Sequence, residues 1–599
     1  MDFDDILEYI GDFGTYQKRV YLLLCILTIF HGMRMVVMVF ILFVPKHRCL
    51  IPGYLNDTYE VTTAEHLAAV EKSIPPGSSC YVYQLDNYTS SGPTTSASLV
   101  KCNHWVYDQS MMFSTVASQF NLVCDEALKA SHETMIYYGG FLVSTFVIGT
   151  VSDRIGRKLC LYWSLTVAVV AGTLLAFTQS FLTFTVLNFI VGAATAGIFP
   201  TAYVMGIELV GPSKRSLTGM VIQLFFSTGV VLLSGLAYLT RDWRHLVLSI
   251  TLPLIIYYCF WGFIPESTRW QIQKGYFRDA RQTVLAVARI NKREVPISVL
   301  DAVMPDVPGR VNSQGHREKA NKVKGGSFFE LFRYRILFIR TWIIFYNWFA
   351  ISLSFYGLNY NSGNLGVGSI FLNFSLAGLV EFPAYIYTLC TINRLGRRLV
   401  HFSMMATGGM ACLSCVVSIK YAPKDYQWLT VVLAMIGKLG SAGAYSTVYV
   451  HSTELFPTVI RHSAFGASAS WARIGSMLSP YIAAMGANDS GIFGHGLPLL
   501  ICGCVMLSAG SLALLLPETL NRKLPETITD ARHFTRSAYM TGDVNIVTTG
   551  MSVGTGVELG TDSDNDERTG TDNDVKTGSD VKTGSDVKTG SDVKMETKT

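Results

Sequence analysis

The sequence predicts an all-helical membrane protein with twelve spans, arranged as two repeats of six. Of its 599 residues, 50% are apolar and only 15% are charged, and the mean hydropathy is +0.33. Soluble globular domains carry about 25% charged residues, so this composition favours a polytopic membrane protein. An internal repeat supports the two-half arrangement, because three short motifs recur in the same order along the chain.

Twelve apolar runs are about long enough to cross a hydrocarbon core of ~30 Å as helices. They lie near residues 20–44, 132–152, 159–177, 181–205, 217–240, 244–264, 339–358, 369–390, 399–419, 427–450, 461–485 and 496–516. We expect no cleavable signal peptide, because the first run is itself long enough to span. The runs define an N-terminus (1–19), an N-terminal half (20–264), a linker (265–338), a C-terminal half (339–517) and a tail (518–599).

A long polar segment, residues 46–130, separates the first two runs. It holds two glycosylation sequons, at Asn56 and Asn87, and four cysteines: Cys49, Cys80, Cys102 and Cys124. Paired cysteines and glycan acceptors are typical of an oxidising, extracellular side. Four cysteines allow three pairings, and the sequence does not choose among them. A metal site is the weaker alternative, because no close His/Cys pairs accompany the cysteines.

The linker is rich in Arg and Lys, which predicts a cytoplasmic location for it and for both termini. In the tail, Asp-Val-Lys-Thr-Gly-Ser recurs from Asp574, Asp580 and Asp586. A repeat of this composition cannot bury a core, so residues 551–599 are expected to be disordered. A regulatory docking role for the tail is the alternative.

Three motifs of the N-terminal half return in the C-terminal half. The pairs are Asp153–Lys158 with Asn393–Arg398, Glu208–Arg215 with Glu454–Arg461, and Pro265-Glu-Ser with Pro517-Glu-Thr. Their offsets are 240, 246 and 252 residues. Nearly constant offsets predict two six-helix halves related as a parallel repeat, with a central site between them.

These motifs place charged residues at the predicted cytoplasmic ends of the spans. The set comprises Asp153, Arg154, Arg157, Glu208 and Arg215 in the first half, and Arg394, Arg397, Glu454 and Arg461 in the second. Ion pairs that form in one state and break in another would provide a bistable gate. Because Asn393 lacks the carboxylate of Asp153, the second network is expected to be weaker or differently wired. The alternative is that all these residues only anchor the topology.

The stretch Gly149–Lys158 resembles the G-x-x-x-D-R-x-G-R-[RK] signature of the major facilitator superfamily. Further motifs, combined with the cysteine-rich segment, resemble the organic cation, carnitine and organic anion transporters of solute carrier family 22: Asn121-Leu-Val-Cys124, Pro265–Trp270, Tyr356-Gly-Leu358, Glu381-Phe-Pro-Ala384 and Glu454–Thr458. The resemblance covers about residues 1–530 and is strongest to the carnitine and zwitterion branch. It implies a secondary-active plasma-membrane transporter that works by alternating access.

Ionisable residues inside spans are costly in hydrocarbon, so they are expected to face a cavity. They include Arg34, Glu381, Lys438 and Arg473. In the resembling family, the position of Arg473 is acidic in cation transporters and basic in the anion and carnitine branches. A guanidinium suits a carboxylate. Glu381 is expected to meet an ammonium group, or else to pair with Lys438 or Arg473. His31 is interpreted as a polar packing residue rather than a proton carrier.

Trp348, Phe355 and Tyr445 complete the predicted site, because aromatic faces attract quaternary ammonium groups by about 0.5–2 kcal/mol per contact. Packing roles are the alternative. The sequence thus predicts transport of carnitine-like zwitterions or cations by a monomer. Organic anion exchange, or a non-transporting receptor or scaffold, are the alternatives. No enzyme, cofactor, metal site or nucleic-acid partner is expected, and no Walker loop is present. Sodium or proton coupling is left open.

Overall fold

The structure is a computed structural model. It describes residues 3–533 except 52–53, 55–56, 84–98, 305–329, 364–368, 458–459, 487–495, 523–524 and 526–527. The sequons at Asn56 and Asn87 and the repeat tail therefore lie outside the described residues.

The N-terminal half and the linker are helical. Their helices are α1 (Phe3–Ile10), α2 (Thr15–Val36), α3 (Met38–Ile41), α4 (Ala64–Ser73), α5 (Val116–Gln119), α6 (Leu128–Ile155), α7 (Arg157–Ala176), α8 (Phe181–Glu208), α9 (Arg215–Thr240), α10 (Trp243–Thr251), α11 (Thr268–Lys274), α12 (Phe277–Asn291) and α13 (Ile297–Val303). A 3-10 helix, Leu252–Phe260, continues α10.

The C-terminal half repeats this pattern. Its helices are α14 (Glu330–Arg333), α15 (Arg335–Tyr360), α16 (Ile370–Leu379), α17 (Glu381–Leu395), α18 (Arg397–Tyr421), α19 (Trp428–Leu455), α20 (Arg461–Met485), α21 (Leu497–Ala513) and α22 (Ile528–His533). The predicted span near 369–390 is two helices, α16 and α17, which meet at Val380.

Within the described residues, ten helical stretches are long and apolar enough to cross a membrane. They correspond to the first ten predicted spans. Helix α20 has 25 residues but carries Arg461, Arg473 and several serines, and α21 is apolar but has only 17 residues. The predicted spans eleven and twelve thus exist as helices, while the count of twelve spans stays a prediction.

The two halves pack by the same scheme. In the first half α2 contacts α9, α6 contacts α8, and α7 contacts both α8 and α10. The equivalent helices of the second half make the equivalent contacts: α15 with α20, α17 with α19, and α18 with both α19 and α21. Helices α6 and α20, and helices α9 and α16, join the halves. The repeat offsets of the sequence therefore correspond to a repeat in packing.

The cysteine-rich segment forms two small antiparallel sheets. Strand β1 (His47–Cys49) pairs with β4 (Trp105–Tyr107), and β2 (Tyr81–Tyr83) pairs with β3 (Leu99–Lys101). Disulfides join Cys49 to Cys102 and Cys80 to Cys124. The sulfur atoms of Cys80 and Cys124 and a ring nitrogen of His47 lie within 4.8 Å of one another. Because these cysteines are oxidised to a disulfide, they are not thiolate ligands for a metal.

A buried ion-pair cluster organises the first part of this segment. Arg48 donates to both carboxylate oxygens of Asp57, at 3.0 and 2.5 Å, and His66 lies 2.9 Å from the same carboxylate. Burial alone would raise the pKa of Asp57, but the hydrogen bonds from Arg48, from the Ile51 backbone N–H and from His66 hold it below its usual value.

At the opposite end of the bundle, α1 packs on the linker helices. Phe3, Ile6, Leu7 and Ile10 share an apolar cluster with residues of α12 and α13. Asn291 fixes the start of α2, because its side chain donates to the Ile10 carbonyl and accepts from the Tyr16 N–H. The predicted short N-terminus is therefore a docked helix.

Candidate functional site

The two halves meet most closely at the end of the bundle that carries the cysteine-rich segment, called here the segment end. Ser131 of α6 donates to the carbonyl of Pro480 in α20, at 3.3 Å. The hydroxyls of Tyr138 in α6 and Tyr360 in α15 lie 3.0 Å apart. Ser234 of α9 donates to the Phe371 carbonyl of α16, at 2.6 Å. These contacts close the interface between the halves at this end.

Glu381 and Lys438 form a buried ion pair between α17 and α19. Lys438 Nζ lies 3.0 Å from Glu381 Oε1, and the side chains are 1% and 0% exposed, respectively. Ser227 of the N-terminal half donates to Glu381 Oε2 at 2.5 Å. Of the roles left open for Glu381, the structure shows the internal pairing with Lys438, so its negative charge is compensated within the protein.

Arg473 lies at the middle of α20 and faces the N-terminal half. Its guanidinium carbon stands 4.0 Å from the ring centroid of Phe141 in α6. The residue is 7% exposed, and Tyr356 is its hydrogen-bonding neighbour. Nε and Nη1 are buried and have no hydrogen-bond partner among the described residues. No carboxylate pairs with Arg473 in the described part of the chain, so this guanidinium is free to bind an anionic group.

The predicted aromatic residues form one connected wall beside this arginine. The ring of Tyr445 lies 5.4 Å from that of Phe355 and 6.0 Å from that of Trp348. Trp348 also contacts Tyr449 at 4.7 Å. Lys438 Nζ lies 3.0 Å from the ring centroid of Phe355, so the buried ion pair and the wall are continuous. The structure therefore brings together six of the seven predicted site residues.

Arg34 is the exception. Its side chain lies within the N-terminal half, where Nη2 donates to the Ala168 carbonyl of α7 at 3.4 Å and occupies the space beside Gly172. It contacts none of the aromatic wall residues in the described contacts. A small residue on α7 leaves room for the Arg34 guanidinium there, and the predicted role of Arg34 in substrate binding stays a prediction.

Sequence reasoning missed the contribution of the N-terminal half to the site. Phe141 lies against Arg473, and Tyr203 reaches Tyr449 across the interface at 5.9 Å. Phe199 packs on Tyr203, and Phe226 packs on Phe199. Their position in apolar spans did not single them out, because an aromatic residue in a span is as typical of helix packing as of a binding site. His31 of α2 stacks on Phe199 at 5.1 Å.

The charged motifs lie at the opposite end, called here the basic-loop end. Arg157 Nη2 lies 2.9 Å from Asp153 Oδ1, and its Nε lies 3.5 Å from Glu208 Oε2. In the second half, Arg397 binds Glu454 through two hydrogen bonds of 2.9 Å each. The second network is thus wired differently, as expected from Asn393, but its bidentate geometry is not that of a weaker pair.

Two residues of the predicted networks have other partners. Arg215 pairs with Asp4 of α1 at 2.7 Å, and Asp4 also binds Arg269. Arg461 donates to the Phe456 carbonyl at 3.1 Å. In this structure Arg215 pairs with Asp4 rather than with the Glu208 network, because docking of α1 brings Asp4 to it.

In each motif network, the described ion pairs join residues of the same half. They do not hold the halves together in this structure, and Arg154 and Arg394 are exposed. A gating role for these residues stays a prediction.

The Pro-Glu motifs have a structural task that the sequence did not reveal. Glu266 accepts hydrogen bonds from the backbone N–H groups of Arg157 (2.8 Å) and Lys158 (3.2 Å) at the start of α7. Glu518 accepts in the same way from Arg397 (2.9 Å) and Arg398 (3.0 Å) at the start of α18. Each glutamate therefore caps a helix of its own half, and the repeat extends to these contacts.

Comparison with known proteins agrees with this architecture. A family model described as "Sugar (and other) transporter" matches residues 82–530. Solute carrier family 22 member 21 of Mus musculus is 31% identical over 547 residues, covering 88% of this chain and 93% of the relative. The chain belongs to solute carrier family 22. The organic cation transporter protein of Drosophila melanogaster is 38% identical over 539 residues, covering 89% of this chain and 95% of the relative.

Other relatives of this family member carry more specific names. Organic cation/carnitine transporter 2 of Homo sapiens is 30% identical over 541 residues, covering 88% of this chain and 93% of the relative. Among solved structures, the major facilitator superfamily proton:xylose symporter XylE has a TM-score of 0.58 at 16% identity, covering 85% of this chain and 98% of the symporter. This likeness shows the major facilitator fold. The chain is a multi-pass membrane transporter of small organic solutes, not an enzyme.

Proposed function

We propose that this family 22 transporter moves carboxylate-bearing organic zwitterions, carnitine-like betaines first, across the plasma membrane by alternating access. The observation that carries the proposal is Arg473: a buried guanidinium between the halves, with two nitrogen atoms unpartnered among the described residues. A carboxylate satisfies such a group by charge-assisted hydrogen bonds.

The aromatic wall supplies the second half of the recognition. Tyr445, Trp348 and Phe355 are connected ring to ring, and aromatic faces attract quaternary ammonium groups. A zwitterion with a carboxylate at Arg473 and an ammonium group over the wall matches both features. Relatives named organic cation/carnitine transporters are consistent with this substrate class.

Topology and assembly follow from the same scheme. We propose that α20 and α21 complete twelve spans, that the disulfide-bonded segment is extracellular, and that both termini are cytoplasmic. One chain suffices for transport, because both halves that form the site belong to it.

Organic anion exchange is the second candidate. It is favoured by one observation: Lys438 neutralises Glu381, so the described site has no free carboxylate to attract a cation and carries the uncompensated charge of Arg473. An anion without an ammonium group would use Arg473 and leave the wall unused.

Uptake into oocytes separates these candidates. Labelled carnitine, tetraethylammonium and glutarate are offered with sodium or with lithium in its place, and glutarate preloading tests exchange. We expect saturable uptake of carnitine above that of uninjected cells. Uptake of glutarate alone would support the anion exchanger. No uptake of any solute despite surface expression would contradict transport of these classes.

Substitution of Arg473 tests the observation on which the proposed function rests. Arg473→Gln should reduce carnitine uptake about tenfold or more, because a hydrogen bond to a charged group contributes about 1.5–3 kcal/mol. Arg473→Asp should in addition favour tetraethylammonium. The control is Lys420→Gln, which removes an exposed cation at the far end of α18. Unchanged carnitine uptake by Arg473→Gln would show that Arg473 does not bind the carboxylate.

A further inference from the structure

One ring nitrogen of His31, in helix α2, is buried and has no hydrogen-bond partner among the described residues. His31 is 4% exposed, and the unpartnered nitrogen is Nδ1. Its ring stacks on Phe199 at 5.1 Å with an interplanar angle of 22°, and Phe226 lies at 6.0 Å. Buried polar groups are usually hydrogen-bonded, so an unpartnered one calls for an explanation.

Ring contacts lead from His31 to the interface that Arg473 faces. From Phe199, which stacks on His31, they run to Tyr203 at 5.9 Å and across the interface to Tyr449 at 5.9 Å. Arg473 faces this interface from the other half, with its guanidinium carbon 4.0 Å from the ring centroid of Phe141. The unpartnered imidazole nitrogen and the unpartnered guanidinium nitrogens therefore come from opposite halves and face one interface.

We infer that His31 and Arg473 together form the carboxylate subsite of this transporter, with one donor from each half. This inference rests on the proposed function and deepens it by naming a specificity residue in α2. One carboxylate oxygen accepts from the Arg473 guanidinium, and the other accepts from an imidazole N–H, which a neutral histidine provides on one of its two nitrogens. Both unsatisfied donors are then satisfied by one ligand group.

The arrangement gives carboxylates an advantage that neutral analogues lack. A methyl ester has no anionic oxygen to share between the two donors, and its methyl group meets one of them. A bound carboxylate also links α2 to α20, so binding favours the state in which the halves approach each other at the site. The packing role assigned to His31 from the sequence explains its stacking on Phe199 but not its unpartnered Nδ1.

The test is a competition experiment that does not depend on expression level. Carnitine and carnitine methyl ester compete against a labelled solute that the wild-type transporter takes up, and the ratio of their half-inhibitory concentrations is measured. The wild type should prefer the carboxylate by about tenfold or more. His31→Phe keeps the stacked ring but removes the donor, so its ratio should fall toward one. His31→Asn restores a donor near Nδ1 and should recover part of the preference.

Two further variants complete the design. His31→Met removes the donor with a flexible side chain, and it serves if the phenylalanine variant does not reach the surface. The matched control is His451→Gln, since His451 is also a buried histidine, but its Nε2 lies 3.2 Å from the Pro517 carbonyl and neither of its ring nitrogens is a buried atom without a partner among the described residues. Its ratio should equal that of the wild type.

The outcomes distinguish the inference from the proposed function. A wild type that takes up no carboxylate-bearing solute contradicts the proposed function. In a second outcome, the wild type prefers the carboxylate, Arg473→Gln loses this preference, and His31→Phe and His31→Met keep it. This outcome would overturn the role of His31 but not the proposed function.

Discussion

Lys438 determines what Glu381 can do. Because the two charges are 3.0 Å apart and almost fully buried, the desolvation cost of each is offset by the other. The Phe355 carbonyl accepts a further hydrogen bond from Lys438 Nζ at 3.3 Å, and Ser227 satisfies Glu381 from the opposite half. The pair is therefore a structural element of the C-terminal half and a neighbour of the site, rather than a free counter-charge.

Breaking this pair should destabilise the protein more than removing it. Lys438→Met leaves Glu381 buried and unpaired, which is expected to cost about 3–5 kcal/mol. The double variant Lys438→Met/Glu381→Gln has no uncompensated charge and should lie much closer to the wild type. Thermal unfolding of the detergent-solubilised transporter measures the difference. Equal losses in the single and double variants would show that the pair contributes little to stability.

At the scale of the residue, the sequence identified most of the site but not its connections. Ionisable residues inside apolar spans are rare enough to be noticed, and six of the seven predicted site residues, three of them aromatic, cluster around the interface. Which side chains pair depends on which helices are neighbours. The spacing of residues within one span carries no information about the neighbouring helices. The partnership of Glu381 with Lys438 and the position of Arg34 against α7 were therefore not predictable.

Helices α7 and α18 begin at equivalent tight turns. Gly156 and Gly396 have φ angles of +104° and +90°, a conformation that favours glycine, and an added Cβ would collide with the Glu266 or Glu518 carboxylate. These carboxylates cap the following helices. Burial alone would raise the pKa of Glu518, but the backbone N–H groups of Arg397, Leu520, Arg398 and Thr519 bring it below its usual value.

Loss of the cap should lower stability in a pH-dependent way. Glu518→Gln is expected to cost about 0.5–2 kcal/mol, the range for a helix N-cap. Since the folded pKa is lowered, the carboxylate stabilises the fold above its unfolded pKa of about 4.3 and loses this effect as pH falls through the folded value. The gap in melting temperature between wild type and variant should thus be full at pH 7 and shrink in acid. A gap independent of pH would contradict a charge-based cap.

The elements themselves were largely predictable, since long apolar runs bounded by Gly, Pro and charged residues define spans directly. The first ten runs correspond to helices that are apolar and long enough. The docked helix α1 was not predicted, because a short amphipathic segment has no fixed partner in the sequence. Its partners, Val284 and Leu300 among them, lie in the linker almost 300 residues away.

For the whole molecule, the repeat offsets predicted the two-half plan, and the helix contacts of the two halves match pair by pair. The sequence could not predict that the contacts between the halves differ at the two ends of the bundle. A repeat defines which helices correspond, but it does not say at which end the halves touch. Hydrogen bonds such as Ser131 to Pro480 close the segment end, whereas the ion pairs of the basic-loop end stay within their own halves.

The proposed alternating-access mechanism requires the segment end to open in every cycle, and this gives the last prediction. The rings of His132 in α6 and Tyr481 in α20 lie 5.6 Å apart across the interface. In the double variant His132→Cys/Tyr481→Cys, a short bifunctional methanethiosulfonate should join α6 to α20 and abolish uptake, and dithiothreitol should restore it. Each single variant treated in the same way should keep its uptake, which controls for reaction with the exposed native thiols of Cys259, Cys390 and Cys504. Full uptake by a double variant shown by mass spectrometry to be cross-linked would mean that the halves need not separate between these two residues. The opening would then have to involve other contacts between the halves, such as the packing of α9 against α16.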